Sequence, residues 1–179
     1  MSMKWLFLCL LGLAVVTFLY GYIRALGKAR ASEARFHSRP VYHGAFLMIA
    51  TVLPALLFTL LWSAAAPSVI AWRVAGTLPA EVQAQTDAQR SLVMTTVDNL
   101  ARGMMQLDAT EYRDLVEGEV DPSALFFRKG ILLGSGVQPY MVDTAAAMNE
   151  YRAVSKTLLT IFVAAIAAGG FLYARRRIA

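Results

Sequence analysis

Three stretches of this chain, residues 5–23, 45–72 and 157–173, contain no Asp, Glu, Lys or Arg. A helix needs about 20 apolar residues to cross the hydrocarbon of a bilayer, and each stretch is close to that length or longer. The charges are zoned around them. Residues 74–155 hold eleven of the twelve acidic residues against six Lys/Arg, a local net of −5. The rest of the chain holds eleven Lys/Arg against the single Glu33, a net of +10. Lys and Arg are retained on the cytoplasmic side of membrane proteins, so this zoning draws a topology.

Only 16% of the 179 residues are charged and 58% are hydrophobic. Soluble domains average about a quarter charged, and so few polar residues could not cover a core of this size. The basic residues flank apolar runs and do not form one polar face, which points to anionic lipid headgroups and away from nucleic acid. The single cysteine, Cys9, lies inside the first apolar stretch. It excludes an internal disulfide and cannot hold zinc alone, so a packed thiol is expected. The flank after the first stretch carries Arg24, Lys28 and Arg30. That is too basic for a signal-peptidase site, and an uncleaved span is expected.

The first span has Trp5 at one end and Tyr20 and Tyr22 at the other, as interfacial anchors. Arg24, Lys28, Arg30, Arg35 and Arg39 then mark a cytoplasmic loop, which places the N-terminus outside. The second span, about 42–72, contains Pro54, which is expected to kink it, and Pro67, which is expected to mark its exit from the bilayer. The third, 157–173, ends in Arg175-Arg176-Arg177, a strong cytoplasmic stop. The chain therefore divides into 1–44, 45–73, 74–155 and 156–179. The expected fold class is an all-α membrane protein of three transmembrane helices, with a small, mainly helical extracytoplasmic domain between the second and third.

Within 74–155, Leu78-Pro79-Ala80-Glu81 reads as a helix start. Val82, Leu92, Val93, Val97, Leu100 and Met104 follow a helical period toward Met105, with Gly103 weakening the far end. A second helix is expected over 109–117, capped by Asp108 and stopped by Gly118. Asp121-Pro122-Ser123 reads as a turn. Residues 123–137 are open between a loop, a hairpin and a re-entrant element. From Pro139 the chain reads as helix that can run unbroken into the third span.

Candidate chemistry is sparse. His37 and His43 have no Cys, Asp or Glu beside them, a poor metal set. Lys129-Gly130 with Gly134-Ser135-Gly136 lacks the GK[ST] of a phosphate loop. Glu111, Asp114, Glu117, Glu119 and Asp121 could attract cations or a basic partner, but a solvated helix face accounts for them. Ala164, Ala165, Ala168 and Gly169 have the spacing of close helix contacts. No catalytic residue, substrate-binding residue, metal site or cofactor is assigned, and no enzyme is expected.

Ser38-Arg39-Pro40-Val41-Tyr42-His43-Gly44, then Leu53-Pro54-Ala55-Leu56-Leu57 and Trp62, resembles the N-terminal region of bacterial phosphate ABC transporter permeases of the PstC type. Glu150-Tyr151-Arg152-Ala153 and the exit Tyr173-Ala174-Arg175-Arg176-Arg177-Ile178 are similar too. Such permeases need about six further spans and a cytoplasmic loop for the ATPase, so the resemblance implies a fragment or detached N-terminal region. It implies the inner membrane and, as partners, a permease core and partner permease subunit, a phosphate-binding protein and an ATPase. Arg24, Arg39 and Arg175–Arg177 read as topology signals, not as phosphate ligands. Two readings compete with an accessory transporter region: a membrane-anchored sensory input using 74–155, and a small scaffold protein.

Overall fold

A computed structural model describes residues 3–31, 40–131 and 136–178. Every regular element among them is helical: α1 (Met3–Ala31), α2 (Pro40–Ala75), α3 (Ala80–Gln83), α4 (Asp87–Met104), α5 (Ala109–Val116), α6 (Pro122–Arg128) and α7 (Pro139–Ile178). Three of these, α1, α2 and α7, are long and apolar enough to cross a membrane. All three outrun the apolar stretches that mark them, and α2 and α7 each begin at a proline, Pro40 and Pro139. Pro54 and Pro67 both lie inside α2, which runs on to Ala75.

The chain forms two units, one of residues 1–64 and 156–179, the other of residues 65–155. In the first, α1 and the span portions of α2 and α7 form a three-helix bundle. Its core joins Leu6 and Leu10 of α1, Ala55 of α2, and Leu159, Val163 and Ala167 of α7. Phe58, Trp62 and Phe162 pack as tilted rings at that end, with centroids 5.6–6.3 Å apart. Toward the other end Tyr20 meets Phe171 at 5.6 Å. These pairings make α1 and α7 parallel and α2 antiparallel to both. They bring Arg24 and Arg175–Arg177 to one end of the bundle, as the charge zoning requires.

Glycine sets how closely these helices approach. A β-carbon on Gly21 would lie 2.9 Å from the His43 carbonyl oxygen, and one on Gly44 would lie 2.8 Å from that of Phe18. One on Gly170 would lie 2.2 Å from the Ala50 carbonyl oxygen. Close contact in α7 thus falls to Gly170. Ala164, Ala165, Ala168 and Gly169 are exposed, and a β-carbon on Gly169 would meet nothing within 4 Å. The small-residue contact face is therefore one residue out of phase with its sequence expectation. The buried face runs Leu159, Val163, Ala167 and Ala174.

The contact at Ala50 has a chemical basis. Pro54 has no N–H, so the Ala50 carbonyl loses its i+4 partner. The hydrogen that Gly170 carries in place of a β-carbon points at that oxygen, a Cα–H···O contact across the helices. Thr51 and Thr59 are buried in the same helix and donate to the carbonyls of Leu47 (2.7 Å) and Ala55 (2.8 Å). They satisfy themselves without a partner helix.

The second unit closes around Val74, Val97, Leu100, Ala101, Met104, Leu115, Leu125, Phe126, Met141, Val142, Ala145 and Met148. The expected helix from Glu81 to Met105 is two helices. Thr86 breaks it by accepting from the Gln89 amide while Gln89 accepts from the Thr86 amide, a reciprocal cap. Asp108 and Glu111 repeat that arrangement at α5, and Gly118 at φ +77° ends it. Asp121-Pro122 is a helix start and not a turn: Asp121 accepts from the Ala124 amide at 2.9 Å, with Pro122 in the first turn. Of residues 123–137, left open from the sequence, 123–128 are helix and 132–135 lie outside the described residues. Gly103 lies in the last turn of α4, buried under the Phe126 ring, where a β-carbon would sit 2.7 Å from Cε1. Leu92, expected on the apolar face, is 70% exposed.

Candidate functional site

The polar centre of the second unit lies where α4 meets α7. Asp98 receives hydrogen bonds from two arginines, Arg102 one turn along α4 (2.5 Å) and Arg152 of α7. The Asp98 and Arg152 side chains are 27% and 26% exposed, so this is a half-sheltered pair and not a surface contact. One turn before Arg152, Asn149 donates to the Ala101 carbonyl at 2.8 Å. Asn149 Oδ1 and Arg152 Nη1 are buried with no hydrogen-bond partner among the described residues. One acceptor and one donor are thus left on successive turns of α7, a set that suits a water molecule.

Burial pushes the Asp98 carboxyl up, but hydrogen bonds from Arg152 and Arg102 and their charges outweigh it, so the group lies below its ordinary value. The junction ties α4 to α7 as an ionic clamp. A group whose folded pKa is depressed contributes stability above its unfolded pKa, near 4, and loses it as pH falls through the folded value. Asp98→Asn should therefore cost about 1–2 kcal/mol at pH 7, the value for a half-sheltered pair. Its penalty should shrink at pH 3. Chemical denaturation of both proteins at the two pH values measures this; an equal gap at both would rule the clamp out.

The residues singled out in the sequence are dispersed. Cys9 is exposed on α1. His43 lies on the first turn of α2 with its carbonyl against Gly21, while His37 and Arg39 lie outside the described residues. Arg24 donates to the Tyr20 hydroxyl at 3.0 Å. Of the acids, Asp108 and Asp121 cap helices, and Glu111 caps its own helix start and pairs with Lys129 at 2.8 Å. The Lys129 hydrogen bond, then that from the Asp108 amide, holds the Glu111 carboxyl below its ordinary value. Asp114 meets Arg113 at 3.7 Å. No cluster of His, Cys, Asp or Glu able to hold a metal occurs among the described residues. Lys129-Gly130 closes α6: the Ile131 amide donates to the Phe126 carbonyl at 2.9 Å, with Gly130 at φ +73°. Neither the Asp98–Arg152 pair, 54 residues apart, nor the Asn149–Ala101 bond, 48 apart, has a local sequence signal.

A family model described as phosphate ATP-binding cassette transporter matches residues 7–172, nearly the whole chain. No curated protein and no solved structure matches it.

Proposed function

Since the chain belongs to the phosphate ATP-binding cassette transporter family, we propose that it is an accessory N-terminal membrane region of a phosphate importer permease. In this reading it lies outside the translocation path. The bundle of α1, α2 and α7 packs against a permease core, and residues 65–155 stand on the extracytoplasmic side, within reach of a phosphate-binding protein. The observation that carries the reading is the extent of the family match, which takes in all three apolar helices and the folded unit between them. The helices support a packing role. Fewer than a third of the residues in the most apolar window of each are buried, and no charged side chain interrupts 5–23, 45–72 or 157–173 to line an ion path.

A sensory input is the second reading, favoured by one feature. Helix α7 is continuous over Pro139–Ile178, so core residues Met141–Met148 and the arginine exit share one helix.

The test is a complete permease with residues 1–174 removed. Loss of complex assembly or of radiolabelled phosphate uptake is the expected result. Unchanged assembly, uptake and regulation would reject the accessory role. Orientation is read from the same cells with an externally confined thiol reagent, in a Cys9→Ala background. Asn99→Cys should label and Arg35→Cys should not, and the reverse pattern would invert the topology.

A further inference from the structure

An open cleft of about 480 Å³ lies at the arginine end of α7, lined among the described residues by Gly169, Leu172, Tyr173, Arg176 and Arg177. These positions are i, i+3, i+4, i+7 and i+8, so one stripe of the helix forms the wall. Its character changes along its length. The Gly169 end is apolar, and the glycine leaves it open, since a β-carbon there would meet nothing within 4 Å. Tyr173 occupies the middle. Arg177 lies over the Tyr173 ring, with its guanidinium carbon 5.7 Å from the centroid, a contact that holds the charge at the mouth. Arg175 is exposed and does not line the cleft.

We propose that this cleft binds an acidic phospholipid, with the phosphate headgroup between Arg176 and Arg177 and an acyl chain along Leu172 and over Gly169. A free phosphate ion would use only the cationic mouth. The apolar end at Gly169 and Leu172, one to two turns further into the span, is what selects an amphiphile. Basic residues at a membrane surface attract anionic lipid in any case, but bulk attraction would not distinguish Arg175 from its two neighbours. The cleft does. The inference rests on α7 being membrane-embedded and not on the transport role, and it assigns Arg176 and Arg177 a second duty beyond stopping the span.

The experiment uses the full chain in neutral detergent micelles, titrated with phosphatidylglycerol, phosphatidylcholine or inorganic phosphate, with bound species counted by native mass spectrometry. Wild-type protein should retain phosphatidylglycerol over phosphatidylcholine and should not retain phosphate. Each arginine near an anionic headgroup is worth about fivefold, so Arg176→Gln/Arg177→Gln should lose tenfold or more. Arg175→Gln should stay near wild type. Gly169→Leu should lose binding with every charge kept, and its far-UV circular dichroism should match wild type because the position is open. Equal losses in Arg175→Gln and the double variant would overturn the proposal, as would undiminished binding by Gly169→Leu or equal retention of phosphatidylcholine. Retention of inorganic phosphate, insensitive to Gly169→Leu, would overturn it in favour of the free anion.

Discussion

Gly170→Leu is expected to break the bundle of α1, α2 and α7, while Gly169→Leu one residue away leaves it standing. At position 170 the first atom of any side chain would lie 2.2 Å from the Ala50 carbonyl oxygen, 3.1 Å from its carbon and 3.2 Å from the Thr51 Cα. These are backbone atoms, so no rotamer change relieves the clash; α2 and α7 must move apart. Overpacking in a folded interior costs about 1–3 kcal/mol when side chains can yield, and this substitution should reach or pass the upper end. Separation would also disturb the Phe58–Phe162 and Trp62–Phe162 contacts. Unfolding of the full chain by titrated SDS, followed through tryptophan fluorescence, should show an early transition for Gly170→Leu alone. Coincident transitions for the two leucine variants would refute the contact.

The second large effect belongs to Phe126, fully buried in the core of residues 65–155. Phe126→Ala should destabilise that unit by about 3–5 kcal/mol, the range for aromatic truncation in a core. For a unit of this size that lowers its melting temperature by at least about 12 °C. Gly103 supplies an internal check. In the wild-type background Gly103→Ala meets the ring at 2.7 Å and should destabilise. With the ring gone, the same change should stabilise by up to about 1 kcal/mol, because alanine is the better helix former. A change of sign between backgrounds marks direct coupling; the same sign in both would show that the ring does not rest on Gly103. Thermal melts of the four proteins by far-UV circular dichroism measure it.

The parts of this fold that were legible in the sequence are those a local rule governs. The three long helices follow from stretches without charge, because a bilayer offers a charged side chain no partner. The caps at Asp108 and Gly118 follow from hydrogen bonds that span a few residues. The break at Thr86 was legible by the same logic, since Thr86-Asp87-Ala88-Gln89 has the spacing of a reciprocal cap. The helical period running through Val82 to Met104 masked it. Asp121-Pro122 could begin a helix or make a turn on the same residues, and burial of Leu125 and Phe126 decided for the helix. Other features lacked any local signal. In a span that is apolar on every side, periodicity does not report which face is inside, so Gly169 and Gly170 could not be told apart. The Asp98–Arg152 clamp joins helices far apart in the chain, and each residue reads alone as an ordinary solvated charge.

Pro54 and Gly170 bear on how such a region can drift through descent. Each has a poor reason to persist in a membrane helix by itself, one having no amide to give and the other no side chain to pack. Together they are complementary, since the carbonyl orphaned by the first is met by the bare backbone of the second. Among relatives the proline should therefore be found with the glycine, while the glycine, which the approach of the two backbones requires in any case, can outlast the proline.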